Sequence, residues 1–183
     1  MEDTTSPRTP HPWASVPPVD EQVDHVRGPS GRPLLLEYGD YECPYSRQAY
    51  RAIQRVEQEV EGGIRFAFRH FPLTEIHPHA LAAAAAAESA ARQGRFWEMH
   101  DRLFHRQKAL TDGDLRGYAA DLDLDLDRFE HDLRSAEVAR RIERDVRTGS
   151  DSGEVLGTPT IFIDGLVYRG SYEAERLIEI LAG

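Results

Sequence analysis

The chain has a single cysteine, Cys43, among 183 residues. No disulfide can therefore form within it, which fits a reducing compartment and sets the expectation of a cytoplasmic protein. Long apolar runs are also missing. Nothing approaches the ~18 residues that a membrane span needs, so no membrane insertion is expected. The longest uniform tract, Ala82 to Ala87, is small rather than greasy and predicts a closely packed helix. Basic residues are in deficit, with 22 Lys and Arg against 32 Asp and Glu, for a net charge of -10. Acidic proteins repel phosphate backbones, so nucleic acid is not an expected partner. No Gly-rich phosphate loop is present, since Gly149 to Gly157 lacks the lysine and the spacing. The N-terminus has no basic region leading into an apolar core and does not read as a secretory signal.

Proline, by contrast, is concentrated. Five of the 11 prolines precede Val19, where nothing is periodic. Residues 1–20 are expected to form a flexible Pro-rich arm, and 21–183 a single domain.

Within that domain the pattern alternates between strand and helix. Pro33-Leu34-Leu35-Leu36-Glu37-Tyr38 is a short apolar run closed by Gly39, which predicts a buried strand. Ser46 to Glu61 carries Ala49, Ile53, Val56 and Val60 on one helical face, and Gly62-Gly63 ends it. Ile64 to Arg69 alternates as a half-buried strand would, completing a right-handed βαβ unit with parallel strands. From about 78 to 148 every periodic segment is helical: His79 to Gln93, Phe96 to Gln107, a helix starting at Thr111-Asp112-Gly113-Asp114, Leu126 to Leu133, and Ala136 to Arg147. Thr160 to Ile163, Asp164-Gly165 and Leu166 to Arg169 then read as a hairpin, and Tyr172 to Leu181 as an amphipathic helix. The order β-α-β, helical insertion, β-β-α implies one layered α/β domain with a mixed sheet.

The chemistry centres on Gly39-Asp40-Tyr41-Glu42-Cys43-Pro44-Tyr45-Ser46. Cys43 sits between the C-terminal end of a strand and the first turn of a helix, the edge at which open α/β sheets bind ligands. Unpaired N–H groups and the helix dipole there favour thiolate over thiol. Pro44 suits the first helical position. Glu37 is either a buried proton acceptor under the thiol or a solvent-facing strand residue, and the sequence leaves both open.

Asp40-x-x-Cys43-Pro44-Tyr45-Ser46 resembles the active site of the DsbA-like branch of the thioredoxin superfamily, where C-P-Y-C or C-P-H-C is common. Val155-Leu156-Gly157-Thr158-Pro159-Thr160-Ile161-Phe162-Ile163-Asp164-Gly165 resembles that family's second signature, a cis-proline before a strand that faces the cysteine across a peptide-binding groove. Phe68-Arg69-His70-Phe71-Pro72-Leu73 and the helical block are similar to its cytoplasmic and transporter-fused members. The resemblance implies a thioredoxin-like fold, Cys43 as nucleophile, Ser46 beside it in the catalytic pair, and Pro44, Tyr45, Thr158 and Pro159 as the substrate-binding positions. It also implies a disulfide-containing protein or peptide, or glutathione, as partner.

Ser46 departs from the family pattern. A hydroxyl forms no disulfide, so the resolving attack by a second thiolate is lost. Cys43 is left to form a mixed disulfide that waits for an outside thiol such as glutathione, a co-substrate rather than a tightly bound cofactor. Ser46 is expected to hydrogen-bond the Cys43 sulfur from one turn along. Two alternatives stand beside this monothiol oxidoreductase. One is a glutathione-dependent transferase or isomerase, whose members carry serine at the first active-site position, where this chain has Cys43. The other is a redox-inactive interaction module.

Other polar clusters predict less. His77-x-His79, with His70 nearby, has no carboxylate or cysteine at helical spacing and is expected to sit at a loop mouth without a metal. His100 and His105 are expected to be exposed or partly buried. Asp121 to Asp127 resembles an EF-hand start, but Leu126 stands where glycine is needed, and no Glu closes the loop.

Overall fold

A computed structural model describes residues 15–182. The first strand of the βαβ unit, here β2, spans Leu34–Gly39 and the second, β3, spans Arg65–His70; they pair in parallel, with Leu34 opposite Arg65. Helix α1 (Pro44–Glu59) crosses between them, burying Ala49, Ile53 and Val56 along its inner face. It starts two residues earlier than its apolar periodicity predicts, because Pro44 already occupies its first turn. Near the other end of the chain, β4 (Thr160–Ile163) pairs antiparallel with β2, and β5 (Leu166–Tyr168) antiparallel with β4. Asp164 and Gly165 take positive φ values of 47° and 88° between β4 and β5, which is the backbone a two-residue hairpin requires.

One strand escapes the periodicity reading. Strand β1 (His25–Arg27) is three residues long and pairs antiparallel with β3, giving a five-stranded sheet in the order β1-β3-β2-β4-β5. Three residues are too few to show alternation. The expectation for β3 also needs correction. Five of its six residues are buried, including Arg69 and His70, so it is a central strand covered on both faces.

Helix α7 (Ala174–Ala182) joins α1 on one face of the sheet. The helical insertion extends that layer through α2 (Ala80–Ala91), α3 (Phe96–His105), α4 (Asp112–Asp121) and α5 (Leu126–Asp132). A capping box at Thr111 and Asp114 starts α4, and the Asp125 side chain caps α5. Helix α6 (Ala136–Asp151) runs one turn longer than predicted and reaches the opposite face. There Gly149 lets it approach closely; a Cβ would lie 3.0 Å from the Phe71 ring and 3.1 Å from that of Tyr38.

Most of the arm expectation falls on residues 1–14, outside the described residues. The remainder packs against the fold: Val16 is buried, and the Pro17 and Pro18 carbonyls accept hydrogen bonds from Arg69. His100 is also completely buried, against expectation. Its ring sits among Phe68, Phe96, Trp97 and Phe104, its Nδ1 lies 3.0 Å from the Tyr41 hydroxyl, and burial lowers its pKa well below the usual value. It is a neutral core residue, as the apolar spacing of its helix neighbours allows.

Candidate active site

Cys43 is the N-cap of α1, with extended backbone (φ -72°, ψ 122°). The turn before it is built by Asp40, whose carbonyl accepts from the Cys43 N–H at 3.1 Å. The Asp40 side chain is buried and acts as a hub. One oxygen accepts from the Glu42 N–H at 2.8 Å; the other accepts from the Leu73 N–H at 2.9 Å and lies 2.7 Å from His77 Nδ1. His79 pairs similarly with Glu42 at 2.9 Å. The two histidines of the H-x-H pair thus serve separate carboxylates and tie the loop after β3 to the cysteine turn.

A second tie comes from the helical insertion. Gln107 Nε2 donates to the carbonyls of both Tyr41 and Cys43 at 2.8 Å. No sequence signal identifies this residue, because its partners lie 64 and 66 positions away. Gly39, at the end of β2, is required by close packing: a Cβ would fall 2.5 Å from the Phe68 ring and 2.9 Å from Glu37 Oε1.

The Cys43 sulfur faces the second signature. The Thr158–Pro159 peptide is cis, and Cys43 Sγ donates to the Thr158 carbonyl at 3.3 Å. Residues 43 and 158 are brought together by the antiparallel pairing of β2 with β4, which sets both loops at one edge of the sheet. Tyr45, Leu156, Gly157, Thr158, Pro159, Thr160, Arg169 and Tyr172 line a shallow groove of about 310 Å³ beside them. Tyr45 is two-thirds exposed and Leu156 more so, while Tyr172 donates to the Pro159 carbonyl at 3.0 Å. The Thr158 hydroxyl is buried without a hydrogen-bond partner among the described residues.

Ser46 does not make the expected bond to sulfur. Its side chain is fully buried one turn into α1, and its oxygen accepts from the Asp40 N–H at 3.2 Å. The hydroxyl thus braces the turn that presents Cys43. A carbonyl of the facing loop takes the S–H instead.

Glu37 resolves the alternative that the sequence leaves open. It shares the α1 face of β2 with Leu35 and Gly39, is fully buried, and neither carboxyl oxygen has a hydrogen-bond partner among the described residues. Burial pushes its pKa up to about 8, against an opposing pull from the Arg27 charge. At neutral pH it is therefore chiefly a neutral acid.

A family model described as thioredoxin matches residues 21–182. Among solved structures, a thioredoxin-like oxidoreductase from Silicibacter pomeroyi superposes with a TM-score of 0.75 at 25% identity, over 85% of this chain and 88% of that one. The thiol-disulfide exchange protein alpha-DsbA2 of Wolbachia pipientis superposes with a TM-score of 0.74 at 18% identity, over 85% and 84% respectively. In sequence the chain is 50% identical over 161 residues to the Na(+)/H(+) antiporter NhaA 1 of Salinispora arenicola, covering 87% of this chain and 24% of the antiporter. The chain spans about a quarter of the length of that relative. Among the described residues no helix is long and apolar enough to cross a membrane. With its mixed sheet, its cysteine at a helix start and the facing cis-proline loop, the chain belongs to the thioredoxin family and resembles its DsbA-type members.

Proposed function

We propose that this protein is a thiol-disulfide oxidoreductase that works through Cys43 alone and depends on an external thiol for release. The observation carrying this reading is the position of the Cys43 sulfur. It sits at the start of α1, 3.3 Å from the Thr158 carbonyl, beside a groove lined by both apolar and polar residues, among them Tyr45, Leu156, Pro159, Thr160 and Arg169. In the first step the Cys43 thiolate attacks one sulfur of a substrate disulfide. A new S–S bond forms, the old one breaks, and the departing thiolate takes up a proton. Ser46 cannot continue the reaction. A glutathione thiolate then attacks the Cys43 sulfur and releases the second substrate thiol, and a second glutathione frees Cys43 as oxidised glutathione leaves. The sum is a two-electron reduction of substrate by two external thiols. A cytoplasmic setting, where such thiols are supplied, belongs to the same proposal.

Glu37 supports this chemistry by its charge state. A neutral carboxyl places no negative charge in the core behind the cysteine turn, and it holds a proton for exchange. An ionised one would oppose the thiolate. Tyr45, Leu156 and Pro159 give an extended peptide apolar contact, with Pro44 setting the angle at which Tyr45 leaves the helix.

The test is incubation with oxidised glutathione followed by intact-mass measurement. One glutathione per chain is expected, absent in Cys43→Ala. An unmodified wild-type chain would sink the proposal. A second reading rests on the antiporter relatives: a thioredoxin-fold domain that acts with a membrane transporter through binding alone. Under that reading, Cys43→Ala would keep every transport effect of the wild-type chain in vesicles containing such an antiporter.

A further inference from the structure

Away from the cysteine, three side chains converge that the proposed reaction does not use. His25 lies on β1, His70 ends β3, and Glu88 comes from α2. The Nε2 atoms of both histidines lie 2.7 Å from the same carboxylate oxygen, Glu88 Oε1, and the three atoms fall within 4.8 Å of one another. His70 and Glu88 are buried, while His25 is partly exposed, so the cluster opens at the β1 edge of the sheet. We propose that His25, His70 and Glu88 form a binding site for one divalent transition ion of zinc's class.

Donor chemistry selects the ion. Two imidazoles and one carboxylate are a borderline nitrogen-rich set, suited to zinc, cobalt, nickel or iron and unsuited to calcium or magnesium, which take oxygen ligands. A tetrahedral zinc with bonds of about 2.0–2.1 Å holds its ligand atoms about 3.3 Å apart. The two His–Glu separations of 2.7 Å need to open by only about half an ångström to reach that spacing, with the fourth position left to water at the open side.

Ring orientation is already fixed by packing. The His25 ring stacks on Phe96 with centroids 3.5 Å apart and planes within 9°. His70 is held edge-on by Phe68 at 5.5 Å and by Phe96 at 6.1 Å. These apolar walls aim both Nε2 atoms at one point and exclude water from behind it. The nearest cation is Arg141, 4.0 Å from Glu88 Oε1; its charge is already engaged by Asp145, and Asp24 lies 3.9 Å away. A bound ion would cross-link the edge strand, a central strand and the helical insertion.

The experiment uses untagged Cys43→Ser protein, so that no thiolate competes, and titrates it with Co2+ and then Zn2+. One equivalent of Co2+ should give a visible ligand-field spectrum without sulfur charge-transfer bands. Zn2+ should displace it and raise the unfolding temperature by several degrees. His25→Phe in the same background keeps the ring stacked on Phe96 and should lose both responses while retaining the native circular-dichroism spectrum. Glu88→Gln should weaken Co2+ binding at least tenfold. No spectrum and no thermal shift would overturn the site, as would an equal response in His25→Phe, which would place the metal elsewhere.

Discussion

The two faces of the central sheet bury carboxylates in opposite ways. On the α6 face, Asp24 is buried against cations: Arg69 donates to it twice, at 2.8 and 3.0 Å, Arg144 donates at 2.8 Å, and the Asp20 N–H donates at 2.9 Å. Burial would raise its pKa, but those hydrogen bonds prevail and hold it well below the ordinary range. On the α1 face, Glu37 is equally buried, has no hydrogen-bond partner among the described residues, and stays protonated to about pH 8. Burial is shared, and the partners decide the charge. Where the fold needs an anchor, between the segment before β1, the C-terminal end of β3 and α6, it supplies guanidiniums. In the core behind the cysteine turn it leaves the acid alone and neutral, as the proposed thiolate chemistry favours.

The sharpest way to break this contrast is to remove the cation. Arg69→Met takes two hydrogen bonds from the buried Asp24 carboxylate and leaves it to Arg144 and the Asp20 N–H, and is expected to cost about 3 kcal/mol in urea unfolding at pH 7. The double variant with Asp24→Asn should recover part of that loss. On the other face the sign reverses. Glu37→Gln is expected to stabilise the protein by on the order of 2 kcal/mol at pH 8, because the native state no longer has to hold a proton that the unfolded chain releases near pH 4.5. A raised carboxyl pKa gives stability that falls as pH rises from about 4.5 to about 8, so this slope should flatten in the variant. The depressed pKa of Asp24 works at the acid end. Its contribution is present above the unfolded value of 3.8 and lost as pH falls below it, and Asp24→Asn should remove that acid limb. If Glu37→Gln leaves the pH profile unchanged between 4.5 and 8, the unpartnered carboxyl does not behave as described.

Smaller effects concern the turn between the faces. Gln107→Ala removes two hydrogen bonds to the Tyr41 and Cys43 carbonyls and should cost about 1–2 kcal/mol, with a measurable change in the alkylation rate of Cys43. Ser46→Cys tests the geometry from the other direction. It restores the second sulfur one turn along α1 and should allow an intramolecular disulfide, seen as loss of both free thiols after oxidation without any added adduct.

Local chemistry explains what the sequence reveals. Cys43-Pro44 at a strand-helix junction, the Asp164-Gly165 hairpin and the Thr111 capping box each depend on neighbouring residues, and each is readable without the fold. The features that escape are long-range. Arg69 reads as the polar position of an alternating strand, yet its partner Asp24 lies 45 residues away. Gln107 and the His25, His70 and Glu88 cluster are likewise assembled by topology, and β1 is too short to announce itself. Ser46 is the instructive case in between. Its inability to resolve a disulfide follows from its chemistry alone, whereas its bond to Asp40 rather than to sulfur required the path of the turn.

The most direct test of the single-thiol account follows a disulfide peptide with the reduced protein, with and without glutathione. Without glutathione, the reaction should stop at one peptide covalently held on Cys43 per chain. With it, the adduct should clear and the peptide should be reduced over many turnovers, at a rate rising with glutathione and lost in Cys43→Ala. Absence of the trapped adduct, or equal turnover by Cys43→Ala, would contradict the account.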